Sequence, residues 1–313
     1  MISFESKIYI AGHNGMVGSS CLRLFRSRGF KNLIIKSRNE LDLKNQSDVY
    51  SFFEEQKPDA VIIAAARVGG IHANETYGYD FLIENLQIQN NLISASEKNN
   101  VKKIIFLGSS CIYPKMAPQP LKEKYLLTGS LEETNQWYAI AKIAGVKSIE
   151  ALNKYKNKKH LSLMPTNLYG LNDNYDLNNS HVLPALIRKF HEAKINNHSE
   201  VVLWGSGEPL REFLYVDDLA EAILFSLVND LDSDLYNVGS GYEISIKELA
   251  KMIQKIIGHK GRIIWDKNKP NGTPRKILDS SKLTSLGWNP NVGLNAGIKK
   301  VYSYLEANQF SFN

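Results

Sequence analysis

The chain has 313 residues, of which 43% are hydrophobic and 22% charged, a composition ordinary for a globular protein of about two domains. It has no run of about 18 apolar residues that would span a membrane. Its N-terminal residues lack the basic and apolar regions of a secretory signal. Cys21 and Cys111 form no CxxC pair and by themselves cannot ligate a metal. We therefore expect a cytoplasmic protein without a metal site.

The net charge of +6 favours small anionic ligands such as nucleotides. The densest basic run extends from Lys154 to Lys159. We interpret it as the solvated end of a helix rather than a nucleic-acid site, so no nucleic-acid partner is expected.

Short apolar strands alternate with helical patterns over the first 170 residues. The alternation predicts right-handed βαβ units and an α/β fold with a Rossmann-type, doubly wound parallel sheet. Strands are predicted at 7–11, 33–36, 60–65, 103–107 and 161–165, and helices at 15–28, 48–56, 81–97 and 137–156.

In the second half of the chain, predicted strands and helices alternate less regularly. It begins with a turn-rich stretch at 171–180 and predicts a smaller α/β domain at 171–212 and 241–313, with segments near 213–240 returning to the main sheet. Helices are predicted at 182–193, 219–228, 246–257 and 296–305, and strands at 201–204, 213–216, 235–238 and 262–265.

A glycine-rich turn joins the first strand to the first helix. Glycines there allow a tight turn and a close approach to a pyrophosphate, which the helix N-terminus would bind. The spacing is GxxGxxG, so an ordinary tight βα turn is the alternative. The predicted cofactor residues of this turn are Gly12, His13, Asn14, Gly15, Met16, Val17 and Gly18.

The end of the second strand distinguishes between dinucleotides. An acidic side chain there would accept a hydrogen bond from the ribose of NAD, but the chain reads Lys36-Ser37-Arg38. A cation beside a hydroxyl fits the 2′-phosphate of NADP, and a basic surface loop is the alternative. Glu40 is expected to cap a turn or face solvent.

Tyr138 and Lys142 lie four residues apart on one predicted helix face. A nearby cation favours the phenolate, so we expect a lowered pKa for Tyr138 and a role in proton transfer. Ser109 follows the strand at 103–107, at the sheet edge where α/β folds bind ligands.

This combination resembles the extended short-chain dehydrogenase/reductase family. The resemblance implies that Tyr138 protonates a carbonyl oxygen during hydride transfer, that Lys142 holds the nicotinamide ribose, and that Ser109 assists. Further blocks are similar to the 3,5-epimerase–4-reductases of GDP-4-keto-6-deoxy-D-mannose within this family. They are AAARVGGI at 64–71, LGSSCIYPK at 107–115, YAIAKIAG at 138–145, MPTNLYG at 164–170, NSHVLPA at 179–185, WGSG at 204–207, REF at 211–213 and GTPRK at 272–276.

The resemblance implies that Cys111 and His181 exchange protons at C3 and C5, beside the C4 ketone, before NADPH reduces C4. Cys111 would need a pKa below about 8.5 for this role. Taken alone, Cys111 could be a small buried hydrophobe and His181 a helix cap. Cys21 is expected in the core.

Other site residues follow from the resemblance alone. The resemblance implies that residues 1–170 form the NADP-binding domain and that the second part of the chain forms the substrate-binding domain. Asn14 stands where relatives often carry Arg, and Lys189 where some carry Arg, which keeps the charge but not the bidentate fork. The further cofactor residues are Leu107, Gly108, Ser109, Ser110, Lys142, Pro165, Thr166, Asn167, Leu168 and His181, and the substrate-binding residues are Lys189, Trp204, Arg211 and Arg262.

Two alternatives stay open. The enzyme could act on a related GDP-4-keto sugar, a deoxy or heptose analogue, although a plain reductase would need neither Cys111 nor His181. A non-catalytic NADP-binding sensor is more remote, because Ser109, Tyr138 and Lys142 are all present. The resemblance also implies a homodimer formed through the helices at 81–97 and 137–156.

Overall fold

The computed structural model of the protein describes residues 2–269 and 271–310, so positions 270 and 311–313 of the predicted substrate-binding range lie outside the described residues. The strands are β1 (Ile8–Ala11), β2 (Leu33–Ile34), β3 (Ala60–Ile63), β4 (Lys103–Leu107), β5 (Leu161–Pro165), β6 (Asn167–Tyr169), β7 (Glu200–Trp204), β8 (Leu210–Tyr215), β9 (Leu235–Val238), β10 (Glu243–Ser245), β11 (Arg262–Asp266) and β12 (Arg275–Lys276). The helices are α1 (Met16–Ser27), α2 (Gln46–Gln56), α3 (Ile71–Thr76), α4 (Gly78–Lys98), α5 (Gln136–Lys156), α6 (Val182–Ile195), α7 (Val216–Val228), α8 (Ile246–Ile257), α9 (Ser281–Thr284) and α10 (Leu294–Ala307).

The larger sheet has six parallel strands in the order β2-β1-β3-β4-β5-β9. The chain passes outward from β1 to β2 and then crosses to β3 on the other side of β1. The carboxyl end of β1 is therefore a topological switch point, where ligands bind in open α/β sheets. The predicted Rossmann-type α/β fold is confirmed.

Apolar side chains alternate across β4 into two core layers. Ile104 and Phe106 pack with residues of α2, α4 and α5 on one face, whereas Ile105 and Leu107 pack with residues of α1 and α7 on the other. This two-sided burial explains why the strands are almost continuously hydrophobic.

The smaller part is built around β8. Strands β10 and β12 flank its first half, β6 pairs with its second half, and β7 pairs with β11 in a separate ribbon. Helices α6, α8 and α10 enclose a third core. Within the segment predicted to return near 213–240, β9 joins the large sheet and α7 packs against α1, but β8 belongs to the smaller sheet. The division into two domains stays a prediction.

Glu212 links the parts of the smaller sheet. Its carboxylate is fully buried and accepts hydrogen bonds from the backbone N–H groups of Gly241, at 2.8 Å, and Leu278, at 3.0 Å. It thereby fixes the segments that follow β9 and β12 relative to β8. Arg211 and Lys276, on β8 and β12, are paired in register.

Five short elements were not predicted, namely α3, β6, β10, β12 and α9. The three strands have two or three residues and the two helices have six and four, which is less than two helical turns, so none shows a periodic pattern. Across residues 2–269 and 271–310, no helix combines the length and the apolar character that a membrane crossing requires.

Candidate active site

Residues at the carboxyl ends of β1, β4 and β5 meet at one edge of the large sheet, because parallel strands end on the same side. Backbone hydrogen bonds from Gly108 to Leu163 and from Thr166 to Val238 continue this edge beyond the strands. The structure thus brings together three groups of predicted cofactor residues, which are Gly12 to Gly18, Leu107 to Ser110, and Pro165 to Leu168.

The glycine-rich turn packs closely against its surroundings. Gly12 has a φ of +88°, and a Cβ there would lie 2.7 Å from the backbone N of Ala65. A Cβ on Gly18 would lie 2.2 Å from the carbonyl oxygen of Gly12. Among the described residues, no side chain caps the N-terminus of α1, and the buried Nδ1 of His13 has no hydrogen-bond partner. These unsatisfied groups fit the pyrophosphate of a dinucleotide.

The turn after β2 differs from the prediction because Ser37, expected to bind a 2′-phosphate, is engaged by a carboxylate of the chain itself. The N–H and hydroxyl of Ser37 both donate to the Glu40 carboxylate, at 2.8 and 2.7 Å, and Lys36 lies 3.5 Å from the same carboxylate. Glu40 therefore caps this turn, as expected. Arg38 is exposed and forms no ion pair with the described residues, which leaves it as the cation available to a 2′-phosphate.

Lys142 is 3% exposed, and its ammonium donates to the carbonyl oxygen of Leu107 at 2.7 Å. It lies 5.7 Å from the centre of the Tyr138 ring. Burial lowers the pKa of Lys142 to about 8. Burial, and then the nearby Cys111, raise the pKa of Tyr138, so the predicted lowering is wrong. The phenol is consequently protonated at neutral pH, as a proton donor must be.

Ser109 precedes the 3₁₀ turn Ser110–Ile112, and its Oγ accepts a hydrogen bond from the backbone N–H of Cys111 at 3.3 Å. Cys111 is 8% exposed, and burial raises the pKa of its thiol, although Lys276, Ser109 and Lys142 oppose this effect. The expected pKa below 8.5 is therefore wrong for the protein in this state.

His181 is the N-cap residue of α6, but its side chain makes no capping hydrogen bond. The residue is exposed to solvent at its surface, but the surrounding protein desolvates the imidazole and thereby lowers its pKa. The positive charge of Lys276 lowers this pKa further. In this state His181 is neutral and Cys111 is protonated.

A cavity opens beside Cys111, and its walls carry polar groups without partners. The Oδ1 of Asn135, in this wall, and the Oγ of Ser180, next to His181, are buried without hydrogen-bond partners. Sequence reasoning missed Asn135 and Lys276, and the only signal was that Lys276 ends the block at 272–276. Residues lining the cavity include Ser110, Cys111, Lys115, Glu132, Asn135, Thr273 and Lys276.

Three cations near this cleft have no carboxylate partner among the described residues. Lys142 and Arg211 each donate to a backbone carbonyl, and the ammonium of Lys276 makes no hydrogen bond. Burial lowers the pKa of Arg211 to about 10. Buried charges are normally paired, so this arrangement suits an anionic ligand.

Trp204, at the end of β7, is half-exposed. The ammonium groups of Lys189 and Lys269 lie 5.9 and 5.2 Å from the centre of its ring system, and sequence reasoning missed Lys269. This ring and its cations form an open platform for a flat, negatively charged ligand.

Arg262 does not reach this platform. It pairs with Glu200 at 3.3 Å, at the end of β11 opposite to the residue that is paired with Trp204. Four residues of strand separate the two positions, which corresponds to about 13 Å. The register of β7 and β11 therefore keeps Arg262 about 13 Å from Trp204 along the strands.

Within residues 2–269 and 271–310, no cluster of three His, Cys, Asp or Glu side chains is placed to hold a metal ion. The candidate site consists of proton-transfer groups, cations without ion pairs among the described residues, and a glycine-rich turn.

Comparison with known proteins gives consistent matches. A model of the NAD dependent epimerase/dehydratase family matches residues 8–239. The chain is 56% identical over 300 residues to GDP-L-fucose synthase 1 from Arabidopsis thaliana, covering 96% of this chain and 93% of that protein. It is 47% identical over 319 residues to GDP-L-fucose synthase from Escherichia coli (strain K12), covering 98% and 99%. The solved structure of MlghC, a GDP-mannoheptose C4 reductase from Campylobacter jejuni with NADP bound, has a TM-score of 0.91 and 40% identity, covering 98% and 100%.

Proposed function

This chain belongs to the NAD dependent epimerase/dehydratase family, and from that premise we propose that it converts GDP-4-keto-6-deoxy-D-mannose to GDP-L-fucose with NADPH. One observation carries the proposal: the Cys111 thiol interacts electrostatically with Tyr138, Lys142 and Lys276, and Lys276 in turn interacts with His181 and Arg211. These groups supply the proton transfers for two inversions and one reduction, and the cations suit a nucleoside diphosphate.

The cofactor would lie along the carboxyl edge of the large sheet. The turn from Gly12 to Gly18 would hold the pyrophosphate, Arg38 the 2′-phosphate, and Lys142 the nicotinamide ribose. When bound, NADPH supplies the hydride for reduction. The choice of NADP over NAD is supported by the free guanidinium of Arg38 and by the engagement of Glu40 with Ser37 and Lys36.

Epimerisation uses Cys111 and His181. A proton next to the C4 ketone is acidic because the electron pair left on carbon is delocalised onto the ketone oxygen as an enolate. Cys111 gives its thiol proton to solvent and His181 takes a proton from solvent, and the thiolate then takes the proton from carbon. The imidazolium returns a proton to the opposite face, which inverts the carbon and restores both side chains.

Reduction uses Tyr138, Ser109 and Lys142. The protonated phenol of Tyr138 donates its proton to the C4 oxygen as that oxygen gains negative charge. The hydroxyl of Ser109 accepts from the Cys111 amide, so its own hydrogen is free to donate to the same oxygen. Lys142 stabilises the phenolate that remains.

The nucleotide end of the substrate would lie against the smaller sheet. Trp204 offers an open aromatic face on which guanine can stack, with Lys189 beside it. Arg211 can form a bidentate pair with the diphosphate, which would compensate for its burial. Arg262 has no role in this proposal.

A related GDP-4-keto heptose is the second candidate substrate, because MlghC is named a GDP-mannoheptose C4 reductase. Cys111 and His181 favour the epimerising reaction, since a plain reductase requires neither. The test supplies each 4-keto sugar in turn with NADPH and follows absorbance at 340 nm. Faster turnover of the heptose would replace the proposed substrate.

We also propose a homodimer formed by α4 and α5, the helices that pack against each other most extensively. Tyr79, Trp137 and Ile140 lie exposed on this pair of helices, and their burial would stabilise a dimer. Light scattering that gives the mass of one chain would contradict this assembly.

A further inference from the structure

Lys276 belongs to the smaller sheet and lies beside the cavity that Cys111 lines. It ends the two-residue strand β12, is paired in register with Arg211 on β8, and lines the same cavity as Cys111. Glu212 holds this strand in place through the N–H of Leu278. The position of Lys276 is therefore set by the sheet and not by a flexible loop.

The carboxylates near Lys276 are engaged by other cations. Lys115 lies 3.0 Å from the carboxylate of Glu132, and Arg275 makes two hydrogen bonds with Glu243, at 2.7 and 2.8 Å. Among the described residues, Lys276 has no ion pair. Desolvation of an ammonium that has no ion pair costs free energy, and a negative charge that forms beside Lys276 during function would offset this cost.

The groups that face Lys276 identify this negative charge. They are Cys111 on the 3₁₀ turn, His181 at the start of α6, Arg211 on β8 and Glu132 before α5. Lys276 shares its cavity with the Cys111 thiol, and among these four groups only this thiol can change from neutral to negative during function. Lys142 and Tyr138 on α5 face Cys111 as well.

We propose that Lys276 is a positioning residue that stabilises the thiolate of Cys111. This inference rests on the proposed function, in which the Cys111 S–H bond breaks, its proton passes to solvent, and the sulfur then takes a proton from the substrate carbon. Without Lys276 the thiolate would form rarely at neutral pH, and epimerisation would become slow.

The first experiment measures the pH dependence of alkylation of Cys111 by iodoacetamide in the unliganded enzyme. Cys111→Ser supplies the blank, because Cys21 is 0% exposed. Lys276→Met should raise the midpoint by about one pH unit or more. Lys276→Arg should restore most of the shift. Lys115→Met, which removes a paired lysine from the same cavity and frees Glu132, should shift the midpoint less than Lys276→Met does.

An unchanged midpoint in Lys276→Met, or equal shifts in Lys276→Met and Lys115→Met, would overturn the inference. This readout needs no substrate, so it remains valid if the proposed reaction is wrong. Thermal melting of each variant shows whether it is folded, and Lys276→Arg keeps the test available if the Met variant is not.

The second experiment follows deuterium exchange at C3 and C5 of GDP-4-keto-6-deoxy-D-mannose in deuterated water without NADPH. Lys276→Met should lower exchange about tenfold or more near neutral pH and recover at higher pH, as a shift of about one pKa unit requires. Equal exchange in both proteins would contradict the role of Lys276. Absence of exchange in the unmodified protein would instead contradict the proposed function.

Discussion

Replacing Lys142 by Met should stabilise the fold while abolishing activity. Burial lowers the pKa of Lys142 from its usual 10.5 to about 8. Each pKa unit corresponds to about 1.36 kcal/mol, so keeping this side chain charged costs at most about 3 kcal/mol. Loss of the hydrogen bond to the Leu107 carbonyl offsets about 1 kcal/mol. We expect a net gain of about 1–2 kcal/mol in the free energy of unfolding at pH 7.

The gain should depend on pH. Below pH 8 both the folded and the unfolded states carry the proton on Lys142, so the unmodified protein bears the full cost. Between about pH 8 and 10.5 the folded state has released this proton and the unfolded state has not, so the stability of the unmodified protein rises with pH. Lys142→Met has no such titration, and its advantage should shrink over this range.

Urea unfolding of both proteins at pH 7 and pH 9.5 measures this difference, and the subtraction removes the titrations that the two proteins share. A Met variant less stable by more than about 1 kcal/mol at pH 7, or a difference independent of pH, would refute the reasoning. In the unmodified enzyme, kcat/KM for NADPH should fall above about pH 8, as the ammonium loses the charge that holds the cofactor.

Other variants separate the remaining roles. Tyr138→Phe should lower reduction by about 10²–10⁴-fold yet leave deuterium exchange at C3 and C5 measurable, and full-rate reduction would exclude the acid role. Arg38→Ala should raise the KM for NADPH about tenfold or more and have little effect on the KM for NADH. Ser37→Ala should change neither KM, because Glu40 already accepts both hydrogen bonds that Ser37 can donate. Equal effects of Arg38→Ala on both cofactors would contradict a role in binding the 2′-phosphate. Glu212→Gln should lower the free energy of unfolding by about 1–3 kcal/mol, because its amide cannot accept both backbone hydrogen bonds, and an unchanged urea midpoint would contradict this.

Most of the large sheet could be predicted because all its strands except β2 have four or five residues, which is long enough to show an apolar pattern. β4 and β5 begin and end at the predicted residues, since both strands are apolar on two faces and bounded by polar residues. The smaller sheet could not be predicted to the same extent. β10 and β12 have three and two residues, and long-range pairing with β8 defines them, not any local preference.

The candidate site shows a similar limit. The motifs predicted that Ser109, Tyr138 and Lys142 lie at one sheet edge, because the residue types and the ends of the strands are evident in the sequence. The directions of the pKa shifts at Tyr138 and Cys111 were wrong, because burial raises both pKa values and at Cys111 outweighs the cations Lys276 and Lys142, and burial is a property of the fold. Lys276 was missed as a site residue since only the register of β12 against β8 places it near Cys111.

The central claim is that one cleft performs both epimerisation and reduction. The most direct test incubates the protein with GDP-4-keto-6-deoxy-D-mannose and NADPH in deuterated water, following absorbance at 340 nm and the product by NMR. The account predicts loss of NADPH together with deuterium at C3 and C5 of a fucose-configured product. Oxidation of NADPH without deuterium at these carbons would mean a plain 4-reductase and would contradict the account.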